Sequence, residues 1–308
     1  MRSPTQQSEG IPYTRLAQIR RNVAKWYWHA AWILSGAVSS PNLAGGESER
    51  KFILGREEAE AFIARVATRL TLDCYDLARP VAYSRTTYLD TEDLAYFRSC
   101  DGPVARRVRV REYAAAPDVD QAPVLTGVCF LELKENAGPI RSKARVGAPP
   151  HVIAQIIAGA AIDPRWATTL EEMRPYQIIR EALTAGALLP RLTTWYRRAS
   201  MSGDGGMVRV TLDEQIAFAR PALIGVAGEA ARPDNVIGKG PGRVLEVKYS
   251  GEPPSWLLEA MAGLPESHGL SKFRLGMVSI QKAFGVANPM AKYTRPLSIP
   301  SQLRVRKV

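Results

Sequence analysis

From residue 81 to residue 145, apolar and polar side chains alternate with the period of two that marks extended chain. In "ARRVRVREY", Val108 and Val110 fall on one face while Arg109 and Arg111 fall on the other. "GVCFLELKEN" repeats the arrangement with Glu132 and Lys134, "IRSKARV" with Lys143 and Arg145, and "VAYSRTTYL" carries Arg85. The pattern resumes in "RLTTWYRRA", "GMVRVTLDEQIAF" and "GRVLEVKYSG", where Arg209, Thr211 and Asp213 share a face, as do Glu246 and Lys248. These segments predict one antiparallel sheet. Each strand sets an apolar face against a face of fixed charges.

Helical spacing interrupts the strands. "REEAEAFIARVATRL", 56–70, has early acids and later arginines, as the helix dipole favours. Residues 149–188 are rich in Ala, Ile and Leu, with "PPHVIAQIIAGA" and "PYQIIREALTAG" each opening at proline and ending near glycine. Two more helices are predicted over 253–263 and 271–284, and "GKGPGR", which lacks phosphate-loop spacing, reads as a loop. "SSPNLAGG", 39–46, is a loop by composition. The expected organisation is an N-terminal extension over 1–46, one domain over 47–284, and a basic, proline-broken tail over 285–308. The apolar run "WYWHAAWILSGAV", 26–38, follows several basic residues and is short for a bilayer span. A helix docked on the domain, an export signal and a membrane-surface helix all remain open for it.

Hydrophobic residues make up 46% of the 308, enough for a real core, and the net charge of +11 favours anionic partners. The three cysteines, without CxxC spacing, fit reduced thiols in a cytoplasmic protein. With only three histidines, far apart, a zinc site is disfavoured, so any metal is a hard cation on carboxylates. A single charged strand face is ordinarily solvated surface, but here the feature recurs on strand after strand. A sheet closed into a barrel turns those faces inward, and a lumen of Arg and Lys is tolerable when an anion fills it. The fold class is therefore read as α+β: a closed antiparallel β-barrel, a tunnel, with flanking helices. A nucleic-acid partner is disfavoured, because single-strand binders interleave aromatic platforms with their basic residues.

The segments "ESERKF", "YSRTTYLDTEDLAYFR", "RRVRVREY", "FLELKE", "RSKAR", "WYRRA", "VRVTLDE", "VLEVKY" and "LSKFRLG", in this order, resemble the VTC domain. This is the polyphosphate polymerase domain of vacuolar transporter chaperone complexes, in the CYTH or triphosphate tunnel metalloenzyme superfamily. The resemblance covers about 47–284 and implies transfer of the γ-phosphoryl of ATP to inorganic polyphosphate, with Mn2+ or Mg2+ as cofactor and ATP and polyphosphate or pyrophosphate as partners. By motif match it implies Lys51, Arg109, Arg111, Lys134, Arg198, Lys248 and Lys272 as catalytic residues, and Arg85, Lys143, Arg145 and Arg209 as further phosphate ligands. Glu246 would hold metal, with Glu47, Glu49 and Glu132 as additional carboxylates. Arg198 is chosen over Arg197 because it lies two places after Tyr196. Glu47, Glu49 and Lys51 form E-x-E-x-K, the signature of the superfamily's triphosphate hydrolases, so tripolyphosphate or nucleoside triphosphate hydrolysis is the alternative. A non-catalytic polyphosphate-binding module is a third reading. The chain has no apolar run long enough to span a bilayer, so coupling to transport would need a membrane-protein partner beside a cytoplasmic, membrane-associated domain.

Overall fold

The computed structural model describes residues 47–138, 140–161, 170–222 and 224–284. The expectations for the apolar run at 26–38 and for the basic tail from 285 fall outside these residues. The strands are β1 (Glu47–Leu54), β2 (Thr71–Leu72), β3 (Val81–Asp90), β4 (Val104–Ala116), β5 (Val124–Ala137), β6 (Ile140–Gly147), β7 (Leu189–Gly203), β8 (Val208–Ala219), β9 (Val236–Lys239) and β10 (Arg243–Ser250). The helices are α1 (Arg56–Val66), α2 (Ala95–Arg98), α3 (Pro150–Ile157), α4 (Leu170–Thr184), α5 (Ser255–Met261) and α6 (Lys272–Phe284).

All pairings are antiparallel, in the order β1-β10-β8-β7-β3-β4-β5-β6, with β2 added on β7 and β9 on β8. Among the described residues the closure expected from the sequence is not confirmed. The ladder stops at β1 and β6, leaving a curled, open sheet whose two edges are approached by side chains. Arg141 of β6 donates to the Glu49 carboxylate of β1 at 3.3 Å. An open seam leaves edge N–H and C=O groups unpaired, and charged edge side chains protect such edges from pairing with another chain.

The outer face is covered around the curl by apolar clusters. Val108, Val110, Leu131, Leu133 and Val146 pack against Ile153 and Ile156 of α3 and Ile179 of α4. Phe52, Val210, Leu245 and Val247 pack against Phe62 and Val66 of α1 and Leu257 of α5. Tyr83, Leu125 and Trp195 form a third cluster closed by Ala231. Leu131, Ile153 and Ile179 have no residual exposure, so truncating any one to alanine costs about 2–5 kcal/mol. This burial fixes register, because a slip of one residue would turn every charged face outward.

Helix α1 buries Ala59, Phe62 and Val66 at helical spacing. Its Glu58 carboxylate accepts the Gly55 N–H at 2.7 Å, and Arg65 lies in the last turn. It stops at Val66, short of the expected residue 70, where the backbone turns back onto Val66. Helix α3 opens at Pro150 as expected, whereas α4 starts at Leu170 and contains Pro175. As the sixth residue, that proline lies past the first turn and removes the hydrogen bond an N–H there would donate to the carbonyl of residue 171. The predicted loop at 238–243 is partly strand, since Gly238 and Lys239 end β9.

Helix α6 covers one end of the concave side. Phe273 and Met277 pack with Ile53, Tyr88, Leu192, Tyr196, Phe218 and Val244. Gly276 permits this approach: a Cβ there would lie 2.4 Å from a Leu192 methyl. The opposite end, where β7 and β8 turn through 204–206, carries no such apolar cover among the described residues. Among the described residues no helix is long and apolar enough to cross a membrane.

Candidate active site

Strand alternation and register gather the charged residues on the concave face. Lys51 lies opposite Glu246, and Glu49 opposite Lys248, which in turn faces Arg209. Across the sheet Arg109 faces Glu132, Glu132 faces Arg145, and Lys134 faces Lys143. Arg198 lies opposite Asp213 on β8, despite a bulge at Trp195/Arg197. Arg197 turns to the other face and pairs with Glu214 at 2.7 Å.

Glu132 is the hub of one half. Its carboxylate, 1% exposed, accepts from Arg109 at 2.7 Å, Arg145 at 2.8 Å and Lys143 at 3.1 Å. Burial opposes its ionisation, but Arg109, Arg111, Lys143 and Arg145 together hold it well below the usual carboxylate range. Lys143 is pushed down to about 8 by burial and the neighbouring arginines, against the pull of Glu132. Lys134 also falls to about 8, through burial and the charges of Arg109, Lys248 and Lys51, with Glu49 opposing.

Asp213 organises the other half. Its carboxylate, also 1% exposed, takes both forks of Arg198 at 2.6 and 2.7 Å and the Lys272 ammonium, from the first residue of α6, at 2.6 Å. Arg198 and Lys272 lie 5.1 and 4.9 Å from the Tyr196 ring centroid, and Arg111 reaches the Tyr196 hydroxyl at 3.5 Å. Burial resists ionisation of this phenol, yet Arg111, Arg198 and Lys272 outweigh it and bring it down to about 8. Among the buried polar atoms of this face, Arg111 Nε and Thr211 Oγ1 are two that have no hydrogen-bond partner. A buried donor left unpaired is costly, and a bound anion would satisfy it.

Divalent metal is tested by the carboxylates near the seam. Glu49 hydrogen-bonds with Glu246 and pairs with Lys51 at 3.0 Å. Burial raises its pKa, but Lys51, the Glu246 contact and Lys134 lower it to about 2. Two neighbouring carboxylates repel, a cation between them relieves that repulsion, and their hard oxygens fit Mg2+ or Mn2+. Among the described residues no cluster of three or more His, Cys, Asp or Glu is assembled. The protein would thus supply two carboxylates, leaving phosphate and water oxygens to complete the shell. Glu132 does not fit this role, since its oxygens are engaged by three cations. The backbone of Glu47 is in β1, opposite Ser250, and its side chain is outside the description.

Arg85 is corrected as a tunnel residue. It shares the outer face with Tyr83 and Thr87 and is locked to Glu112 at 2.8 and 2.9 Å. Glu112 also accepts the Gly225 N–H at 2.9 Å, so the pair anchors a covering loop. Arg107, which the sequence reading passed over, lies opposite Lys134 on the concave face with a buried, unpartnered Nε. Its two-residue spacing before Arg109 was the available signal. Asp90, in "TYLDT", is structural: it accepts the N–H groups of Tyr96 and Phe97, each at 2.9 Å, and fixes α2 on the end of β3.

A model of the VTC domain matches residues 47–281. Among curated proteins no match to the chain is significant. A Bacillus halodurans crystal structure, provisionally described as an adenylate cyclase, is 13% identical, with 81% of this chain and 97% of that chain covered at a TM-score of 0.37, a likeness too weak to build on. The family match runs from β1 into α6 and takes in every strand that carries the concave charges. On that match the chain belongs to the VTC domain family.

Proposed function

We propose that the concave face holds a chain of phosphates, and that the protein transfers the γ-phosphoryl of ATP to the end of inorganic polyphosphate, releasing ADP. The observation that supports this most is the excess of cations over carboxylates on the concave face, with Arg111 Nε and Thr211 Oγ1 buried and lacking partners. Such a face is stable when a polyanion supplies the missing charge. Arg109, Arg111 and Arg198 present forked donors, while Lys51, Lys134, Lys248 and Lys272 act as point charges that fix the phosphates in line. Arg209, facing Lys248 in register, and Lys143 and Arg145, facing β5, extend the track.

The acceptor follows from the carboxylates. Activating water calls for a carboxylate available as base, yet Glu132 and Asp213 are committed to ion pairs. A terminal phosphate oxygen is already anionic; it forms the new P–O bond as the bond to ADP breaks, and ADP leaves with the electron pair. No protein nucleophile or base is needed, and positioning with charge neutralisation supplies the catalysis. A divalent cation held by Glu49 and Glu246 would neutralise charge on the transferring group. Hydrolysis is the second reading, and the observation favouring it is the same carboxylate pair, Glu49 and Glu246, which among the described residues could orient water. A non-catalytic polyphosphate-binding module is the third. An ATP donor suits a cytoplasmic setting, and delivery of product across a membrane would require a membrane-protein partner.

Glu246→Gln tests the reading. Polymer formation from ATP with Mn2+ should collapse while tripolyphosphate binding survives, and full retained turnover would remove the metal role.

A further inference from the structure

A nucleoside triphosphate in this site must leave its base outside the charged track. The end beneath α6 is filled by Phe273, Met277 and their partners, so the base has to exit elsewhere. The end away from α6 is the mouth of the curl, and the segment between β2 and β3 starts there, from the β2 residues paired with Met201 and Ser202 of β7. It is pinned there by Asp73, whose carboxylate accepts from the Ser202 hydroxyl at 2.7 Å and whose N–H donates to the Ser200 carbonyl at 2.8 Å. Ser200 and Ser202 share the face of Arg198, and Ser202 lies opposite Arg209. Asp76 stiffens the same segment, accepting from Ala78 N–H at 3.0 Å and Arg79 at 2.7 Å.

Between these two aspartates stands Tyr75, 63% exposed, one of the most exposed large apolar or aromatic side chains among the described residues. Tyr75 follows Asp73 by two residues, so it stands beside the Ser200–Ser202 stretch of β7 that continues from Arg198 and faces Arg209. On the same rim Met207, the residue before β8, is 57% exposed. The mouth therefore sets exposed apolar and aromatic surface directly outside a phosphate-binding interior. That division matches a nucleotide, with its base outside and its phosphates within.

We infer that Tyr75 forms the base-binding platform for the nucleoside triphosphate donor, stacking on the purine while the phosphates run inward past Arg209. The inference rests on the reading of this face as a phosphate site with a nucleotide donor. Stacking tolerates any base, so the platform would strengthen binding of nucleotides generally and discriminate them from bare polyphosphate.

The test is calorimetric titration of the full chain, wild type, Tyr75→Ala and Tyr75→Phe, with ATP and separately with tripolyphosphate. Tyr75→Ala should weaken ATP about tenfold, equivalent to about 1.4 kcal/mol, and leave tripolyphosphate within about twofold of wild type. Tyr75→Phe keeps the ring and should retain ATP affinity. Equal weakening of both ligands, or unchanged ATP affinity in Tyr75→Ala, would overturn the platform. Wild type that binds tripolyphosphate but not ATP would also overturn it, while leaving the phosphate site intact. Wild type that binds neither would overturn the phosphate site and the platform together.

Discussion

Replacing Asp213 by asparagine keeps the side chain's volume and removes its charge. Two cations, the Arg198 guanidinium and the Lys272 ammonium, then lose the carboxylate that each contacts at 2.6 Å. Their side chains are only 20% and 14% exposed, so water cannot replace that partner fully. Breaking a buried pair from one side costs about 3–5 kcal/mol, and the residual exposure argues for the lower end. For a domain of this size each kcal/mol moves the melting temperature by about 2–4 °C, so Asp213→Asn should melt roughly 6–12 °C below wild type. Tripolyphosphate at about 100 times its Kd stabilises any binder by about 2.7 kcal/mol. In the variant it also supplies the missing negative charge, so its melting shift should exceed that of wild type. The assay is a calorimetric melt of both proteins with and without tripolyphosphate. A variant melting within about 2 °C of wild type would refute the claim that Asp213 holds the two cations together.

Acid should unfold the domain through its depressed carboxylates. Glu49 has a folded pKa near 2 against an ordinary 4.5, so its contribution is complete above about pH 4.5 and lost as the pH falls toward 2. Glu49→Gln should flatten that part of the stability profile measured by urea unfolding. Tyr196, brought to about 8, should show a tyrosinate step in ultraviolet difference absorbance that Tyr196→Phe abolishes and tripolyphosphate moves upward. This acid's depressed pKa adds stability as the pH rises from about 8 toward the ordinary 10. Lys134 and Lys143 both titrate near 8, so tripolyphosphate bound at that pH should draw protons from buffer, detectable by calorimetry in buffers of different ionisation enthalpy.

Strand alternation made most of the concave charged face readable from the sequence. Once Val108 and Val110 are assigned to a core, Arg109 and Arg111 have only the other face, and the same holds for Leu131 and Leu133 against Glu132 and Lys134. Alternation did not decide which side of its strand Arg85 takes. It lies among apolar neighbours on the outer face, and its partner Glu112 sits on a different strand. The role of Glu132 was hidden for a similar reason, because its cations come from β4 and β6 as well as its own surroundings. Whether the sheet closes depends on how two edges distant in sequence meet, and no local pattern encodes that. Tyr75 carried no periodic signal at all. Its place at the mouth comes from Asp73 pairing with β7, far along the chain.

The most direct test of the account is a product balance: the full chain with ATP and Mn2+, following ADP, orthophosphate and long-chain polyphosphate together. ADP matched by phosphate residues in polymer, with little orthophosphate, is the predicted result. Orthophosphate matching ADP without polymer would contradict it, because water would then be the acceptor in a site whose free carboxylates are too few to favour it.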